Sequence, residues 1–563
     1  MPHRARLLLL GLVLILGGAA LANFIQTRNG ITLREVRFTR ISGHQLVGLL
    51  YVPPGATSQR QAPAVLTVHA YLGSRASQSG LAIELARRGY VVLALDQPGH
   101  GQSDPPAFAD GFGGPDGLRY LRGLDMVDPD RIGLHGHGLG GTAVLTAAQA
   151  QPDQYQAMVL DGAAPGTDGL RAGTPNFPRN LALIYGRYDA YSRQLWGIEH
   201  PRDIGRSDRL AKLFGVANEA MPGRVYGDRA AGTARVLFSP PIANLVAPMS
   251  HDAIAYAVAW FDRTLRPGTP GNGTDQVWMW HAAGCFVALI GLVLLLLANV
   301  SLLIPVLHLT DTPDGAVTAR DGRWWIDGVL TAWVPVMTFF PFLGFGATWL
   351  PAGPVFRQAV TNQILVWLLL NAAIGLATAR MPGAVTAATN TRLAASLGCA
   401  VASVAICVAT ASAVAWALQI DFGAWIFAVR PMTVDRFAIF LIYLPGFTLA
   451  FGVMLHRLNT SLSVYNDSAV MHYASNVAAL AGGLLIFVAV QYGTLVATGQ
   501  LLSWAQPTNI SLALQLLPIM ALLAVVSTFI WRRTGNALLG GLIAGMMVTW
   551  YFTAGQATHI SWQ

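Results

Sequence analysis

The chain has 563 residues, of which 11% are charged and 53% hydrophobic, with a formal net charge of +8. A soluble domain carries about 25% charged residues, so this composition excludes both a wholly soluble enzyme and a disordered chain. The average hides a split: 47 charged residues lie in the first 275 positions and only 17, none of them Glu, after Asp275.

The basic surplus carries little information about partners. Lys212 is the sole lysine, the other 35 basic residues are Arg, and no run of like charge reaches five residues. Nucleic-acid binding would need a basic stripe or patch, and none is present in the sequence. Cys285, Cys399 and Cys407 all lie in apolar stretches, so the polar part has neither a disulfide nor a thiol nucleophile.

The chain opens MPHRAR followed by an apolar run through Ala22, which reads as a secretory signal or an uncleaved anchor over 1–23. Either outcome sends the following residues across a membrane. Residues 24–265 are long enough for one domain with its own core. A Pro/Gly linker, 266–276, leads into a membrane domain over 277–563. Eight apolar runs there suit bilayer-spanning helices, near 279–305, 325–346, 358–379, 394–418, 436–456, 473–497, 510–531 and 536–556. With the polar part outside, the inside loops hold Arg320, Arg323, Arg380, Arg392, Arg457, Arg532 and Arg533. The outside loops hold Arg357, Arg430 and Arg436. This bias agrees with the positive-inside rule and with the leader, and places the polar domain on the extracytoplasmic side.

Within 24–265, ITLREVRF and QLVGLLYV alternate as an edge hairpin would. PAVLTVHA, YVVLALD, RIGLHG, AMVLDGA and LALIYG are short apolar runs that suit strands covered on both faces. Helical stretches separate them, which predicts a mostly parallel sheet with helices on both faces and ligands at the strands' carboxyl ends. The irregular stretch 165–230 is expected to form a cap over the site and to set ligand specificity.

Five segments fall at strand ends: VHAYLGS, LALDQPGHGQSD, VDPDRIGLHGHGLGGTA, LIYGRYDAYS and SHDAIAYAVAWF. In this order they resemble the α/β-hydrolase family, in its dienelactone-hydrolase and acyl-peptidase-like branch, over residues 24–265 only. The resemblance implies a nucleophile elbow, G-x-S-x-G, between a strand and a helix. Here the elbow reads Gly136-His137-Gly138-Leu139-Gly140, so Gly138 stands at the serine's place. By the same resemblance Asp189 matches the acid and His251 the histidine of a triad. The oxyanion-binding amides would be those of Leu139 and Tyr71. Ser74, Ser77, Ser79, Ser103 and Thr142 are near in sequence, but none sits at the elbow tip.

Gly136-x-Gly138-x-x-Gly141, with Asp161 twenty residues on, also matches a dinucleotide fingerprint. It lies after two earlier strand–helix units, which argues against that use. Asp96, His100 and Ser103 are read as a structural strand-to-loop segment rather than a metal or catalytic cluster. No cofactor and no metal are implied.

In the membrane part the candidate polar residues are Asn299, Asp327, Asn362, Gln363, Asn371, Asn476 and Gln491, with His472 near a span end. They read as interhelical hydrogen-bonding groups. The expected protein is therefore a membrane-embedded α/β-hydrolase-like domain without covalent catalysis, a pseudoenzyme. Its partners would be the lipid bilayer and a small ester-, lipid- or peptide-like ligand, with no nucleic acid; protein partners stay open. The alternatives are an active hydrolase using water activated by His251 and Asp189, and a transporter with an accessory ectodomain.

Overall fold

The computed structural model describes residues 3–561 apart from 168, 267, 269–271, 310–316, 318, 379–389 and 465–466. Arg380 and part of the linker thus lie outside the described residues.

The first helix, α1 (His3–Thr27), runs past the expected boundary and lies along α8 (Trp278–Val306). Small residues let the two backbones approach. A Cβ on Gly18 would sit 2.6 Å from the Gly284 carbonyl oxygen and the Ala288 nitrogen, and Ile15, Ala19 and Ala22 are buried.

The N-terminal domain is built on nine strands: β1 (Thr32–Thr39), β2 (Gln45–Val52), β3 (Ala62–Val68), β4 (Val91–Leu95), β5 (Val127–His137), β6 (Ala157–Asp161), β7 (Leu181–Ile184), β8 (Val225–Tyr226) and β9 (Arg235–Phe238). Their order is β1-β2-β4-β3-β5-β6-β7-β9-β8. Strands β3 to β7 and β9 are parallel, and β1, β2 and β8 pair antiparallel. Seven of these strands follow the apolar runs read from the sequence; β8 and β9 were not anticipated.

Helices α2 (Ser79–Arg87), α3 (Gly114–Arg122), α4 (Leu139–Ala150) and α7 (His251–Leu265) cover the sheet; α5 (Ser192–Trp196) and α6 (Asp208–Phe214) are short. The period of two explains the layers. Leu66, Val68, Leu93 and Leu95 face one core with α3 and α4. Val65, Val92 and Ala94 face the other with α2 and α7.

The rest is helical: α9 (Gly322–Met337), α10 (Phe339–Trp349), α11 (Ala359–Thr378), α12 (Asn390–Leu418), α13 (Val434–Leu462), α14 (Ala469–Thr498), α15 (Pro507–Thr534) and α16 (Ala537–Gly555). A small hairpin, β10 (Phe422–Ala424) and β11 (Phe427–Val429), joins α12 to α13. Among the described residues, eight helices, α1 included, are long and apolar enough to cross a membrane; α9 and α10, bent by 52° at their break, pass the same test only together, as one broken span or a re-entrant loop. That bend divides the run expected near 325–346. The break is closed by protein: Trp367 Nε1 donates to the Pro335 carbonyl (3.0 Å) and the Thr338 hydroxyl to Asn371 Oδ1 (3.1 Å).

The two ends of the bundle are distinct. At one end Arg320 pairs with Asp467, Arg457 bonds Thr378, and Asn536 bonds Ser396. The other end meets the N-terminal domain through 418–434, the start of α15 and 555–561. It meets that domain at the carboxyl ends of the parallel strands, where a ligand site in such a sheet belongs.

Candidate functional site

The elbow forms as its sequence implies. β5 ends at His137, α4 begins at Leu139, and Gly138 between them has φ 52° and ψ −120°. Positive φ is strained for residues other than glycine. The Gly138 amide donates to the Asp161 carbonyl (2.9 Å), tying the turn to the end of β6. A Cβ at Gly138 would meet the Ala70 Cβ at 3.1 Å.

Leu139 is the first residue of α4, so its amide has no carbonyl within the helix to bond. Tyr71 lies in the loop after β3, beside Ala70, and burial pushes its phenol up to about 12. The two expected oxyanion amides thus belong to the two loops that meet at the elbow, at the positive end of the α4 dipole.

Asp189 is fully buried in the turn after β7. Its Oδ1 accepts the Tyr191 amide (2.8 Å) and its Oδ2 the Asn244 side-chain amide (2.9 Å). Burial raises its pKa to about 6, against the lowering effect of those hydrogen bonds. Asp161, at the end of β6, is pushed well above the usual carboxylate range by burial and then by the charge of Asp189.

The structure does not bring His251 to this acid. His251 opens α7 on the surface, and its Nε2 lies 3.0 Å from the Thr274 carbonyl. Its nearest carboxylate is Asp252, at 3.9 Å. The side chain that reaches Asp189 from the loop after β9 is Asn244. The sequence reading passed over it because it had no β9 from which to count. Asn244 also bonds Gly162 O (3.4 Å), and its own carbonyl accepts from His137 Nε2 (3.1 Å).

The other histidines near the strand ends are buried and neutral. His69 donates from Nδ1 to Ala70 O (2.7 Å) and accepts the Gln97 amide at Nε2 (3.1 Å). Burial lowers His69 and His135 to about 3 and His137 to about 4. His100 donates from Nδ1 to Pro98 O (3.0 Å), while its Nε2 is buried without a partner among the described residues. Asp96 accepts the amides of Arg75 and Gln102, and Ser103 Oγ donates to Asp96 O. The segment from Asp96 to Ser103 is therefore bonded into its own loop.

The roof of this site comes from the helical part. Arg430 Nη1 donates to Gly73 O (3.3 Å) and Trp425 Nε1 to Leu245 O (3.0 Å). Arg436 donates to Gly99 O and Gly101 O from one side and to Thr553 O and Gln556 O from the other. Tyr71 and Leu72 pack against the bundle's own core. A cleft of about 640 Å³ remains between the two parts and reaches Ala70, Tyr71 and His137, next to the elbow.

None of the cleft's lining residues comes from 165–230, the expected cap. That stretch instead buries Trp196, Ile204, Leu210, Leu213 and Phe214 in the core of α3 and α4. It also meets the helical part, where Arg193 stacks over Trp504 at 4.6 Å.

Residues 63–193 match the family described as alpha/beta hydrolase fold. Over 105 residues the chain is 35% identical to a 2-hydroxy-6-oxononadienedioate/2-hydroxy-6-oxononatrienedioate hydrolase of Cupriavidus pinatubonensis, covering 18% of this chain and 35% of that protein. It is 33% identical, over the same shares, to a hydrolase of the same description from Paraburkholderia xenovorans. The chain thus spans about a third of the length of these relatives. An esterase of Pyrococcus furiosus is similar in structure, with TM-score 0.31 and 15% identity over 42% of this chain and 91% of that one. The strand order, the elbow and the matched segment together give the N-terminal domain the α/β-hydrolase fold, followed by a helical region of long apolar helices.

Proposed function

We propose that this is a multi-pass membrane protein whose α/β-hydrolase-like domain, of the dienelactone-hydrolase and acyl-peptidase-like kind, binds an ester-, lipid- or peptide-like ligand without covalent catalysis. One observation carries the reading: the elbow residue is Gly138, and the acid behind it, Asp189, is bonded to Asn244 instead of an imidazole. Glycine has no atom to attack an acyl carbon, and a carboxamide cannot take up the proton of a nucleophile at neutral pH. The amides of Leu139 and Tyr71 need neither side chain, so the place for a carboxylate or ester oxygen persists.

The water mechanism through His251 and Asp189 loses its geometric basis, since the two do not meet. His137 lies closer, but its low basicity and its bond to Asn244 O make it a weak base. Transport finds little support in the bent pair, whose break is closed by Trp367 and Asn371 instead of lining a path.

Packing of α1 against α8 supports retention of α1 as an anchor. Orientation follows from charge: Arg320, Arg323, Arg457, Arg532 and Arg533 lie at the end away from the domain, which therefore faces the extracytoplasmic side.

The test is a serine-directed fluorophosphonate probe applied to the full-length protein in detergent. No labelling is expected, and no ester turnover that His251→Ala abolishes. Covalent labelling of the domain would overturn the reading.

A further inference from the structure

The cleft beside the elbow has more structure than a general ligand pocket requires. Its walls come from both parts of the chain. The N-terminal domain supplies Glu35, Arg37 and the segment from Ala70 to Ser79; the helical part supplies the start of α8, the end of α12 and the β10–β11 hairpin.

Three donors in that lining lack partners among the described residues: Ser74 Oγ, Arg75 Nη1 and Arg430 Nε. Ser74 is only 3% exposed. A buried donor without an acceptor costs about 1–3 kcal/mol, so three on residues of one lining leave that wall short of acceptors. The charge balance points the same way. Arg37, Arg75 and Arg430 line the cleft with Glu35 and Asp421, Arg75 also lies 3.8 Å from Asp96, and burial raises the Asp421 carboxyl against the lowering effect of Arg430 and Arg75.

The opposite chemistry lines the helical side. Trp278, Ala282, Cys285, Ala415 and Ile420 present apolar surface. The rim is aromatic and apolar, and faces outward: Trp416 is 81% exposed, Trp425 45% and Val434 87%. These rim residues sit at the domain-side ends of apolar helices, where a bilayer's headgroup layer would lie and where tryptophan concentrates. With the apolar helices in a bilayer, the rim of the cleft would lie at the headgroup level of the adjoining leaflet.

We propose that this cleft binds an anionic phospholipid taken laterally from the adjoining leaflet. Its phosphate sits among Ser74, Arg75 and Arg430, and its acyl chains lie along α8 and the end of α12. This deepens the non-covalent reading above and rests on it, because the glycerol esters would then lie beside Ala70, Tyr71 and the elbow without being cleaved.

The test uses full-length protein in detergent and native mass spectrometry with phosphatidylglycerol against chain-matched phosphatidylcholine. One phosphatidylglycerol is expected to be retained at least tenfold more strongly than phosphatidylcholine. Ser74→Ala with Arg430→Gln should lower that preference at least tenfold. Because Arg430 also holds Gly73, a second variant, Ala415→Phe, fills the apolar wall and should weaken both lipids while the protein stays folded.

Equal retention of both lipids, a preference untouched by Ser74→Ala with Arg430→Gln, or retention of both lipids untouched by Ala415→Phe overturns the proposal. Displacement of the lipid by glycerol 3-phosphate at equal concentration also overturns it, in favour of a soluble phosphate ligand. The fluorophosphonate result keeps the two readings apart: an unlabelled protein that ignores phosphatidylglycerol loses only this inference.

Discussion

If Gly138 and Asn244 stand where a nucleophile and its base would stand, replacing both should create a reactive serine, and replacing either alone should not. In serine triads, removing the nucleophile or the base alone costs about as much as removing the whole triad, about 10⁶-fold in kcat. Gly138→Ser alone would therefore leave a serine with Asn244 as its neighbour, and Asn244→His alone a histidine with nothing to activate. The structural cost is bounded. A serine at φ 52° carries strain of about 1–3 kcal/mol, and its Cβ meets Ala70 Cβ at 3.1 Å, which a shift of a few tenths of an ångström relieves. A domain with about 5–15 kcal/mol of stability can absorb that. The assay is fluorophosphonate labelling of full-length variants, with thermal unfolding as the control for folding. Labelling should appear in the double variant and vanish again on Asp189→Asn. A folded double variant that stays unlabelled would refute the place given to Asn244. Labelling of Gly138→Ser alone that disappears with His251→Ala would restore His251 as the base.

Acid should destabilise the domain. His69, His100, His135 and His137 have pKa values held below the ordinary 6.5 by burial, so the unfolded chain takes up more protons and stability falls as pH drops below about 6.5. Asp161 and Asp189 oppose this, because their raised pKa values make the folded state the better proton acceptor above the ordinary carboxylate range, for Asp189 up to about 6. Asp161→Asn should thus widen the Tm difference between pH 7.5 and pH 5; an unchanged difference would show that Asp161 does not titrate there. Arg436→Met removes four carbonyl contacts that join the loop from Asp96 to the chain's end. A loss of about 3 kcal/mol or more is expected, read as lower Tm and faster proteolysis within 96–107. With the native cysteines buried, Thr57→Cys and Leu502→Cys should react with an impermeant maleimide in intact cells and Thr378→Cys only after permeabilisation; opposite behaviour of Thr57 and Leu502 would break the assigned topology.

The legible parts of the fold were those with local periodicity. Strands β3, β4 and β6 are buried on both faces and read as continuous apolar runs. The long apolar helices follow from length and hydropathy. Strand β9 escaped notice because it has four residues and begins with an arginine. Arg235 is buried, and its guanidinium bonds the carbonyls of Thr174 and Pro175, a partnership between distant segments. That omission carried over to the site. Without β9 the loop from Ser239 to Ser250 had no anchor, so attention fell on the histidine opening α7, seven positions past the residue whose side chain bonds Asp189. Gly138 was readable because its neighbours fix the turn; Asn244 gave no signal because an asparagine in a loop most often serves the turn itself. The roofing of the site by the helical part was invisible for the same reason, since contacts such as Trp425 to Leu245 and Arg430 to Gly73 carry no spacing rule.

On the non-covalent reading proposed above, the roof also explains why the domain would keep a well-formed elbow. The loop after β3 presents Tyr71 to the site and packs Tyr71 and Leu72 into the bundle core. The next residue, Gly73, receives Arg430, and Leu245, one residue past the Asn244 that holds Asp189, receives Trp425. The groups that shape the site are thus the groups that join the two halves. On the reading proposed above, a ligand in the cleft touches both halves and stabilises their joined state over any parted one. At a concentration 100 times its Kd that preference reaches about 2.7 kcal/mol, comparable to the loss expected from removing the Arg436 contacts. Geometry inherited from acyl transfer would then serve to couple occupancy to the contact between halves, a role that needs the amides, the acid and the turn, but no attacking hydroxyl.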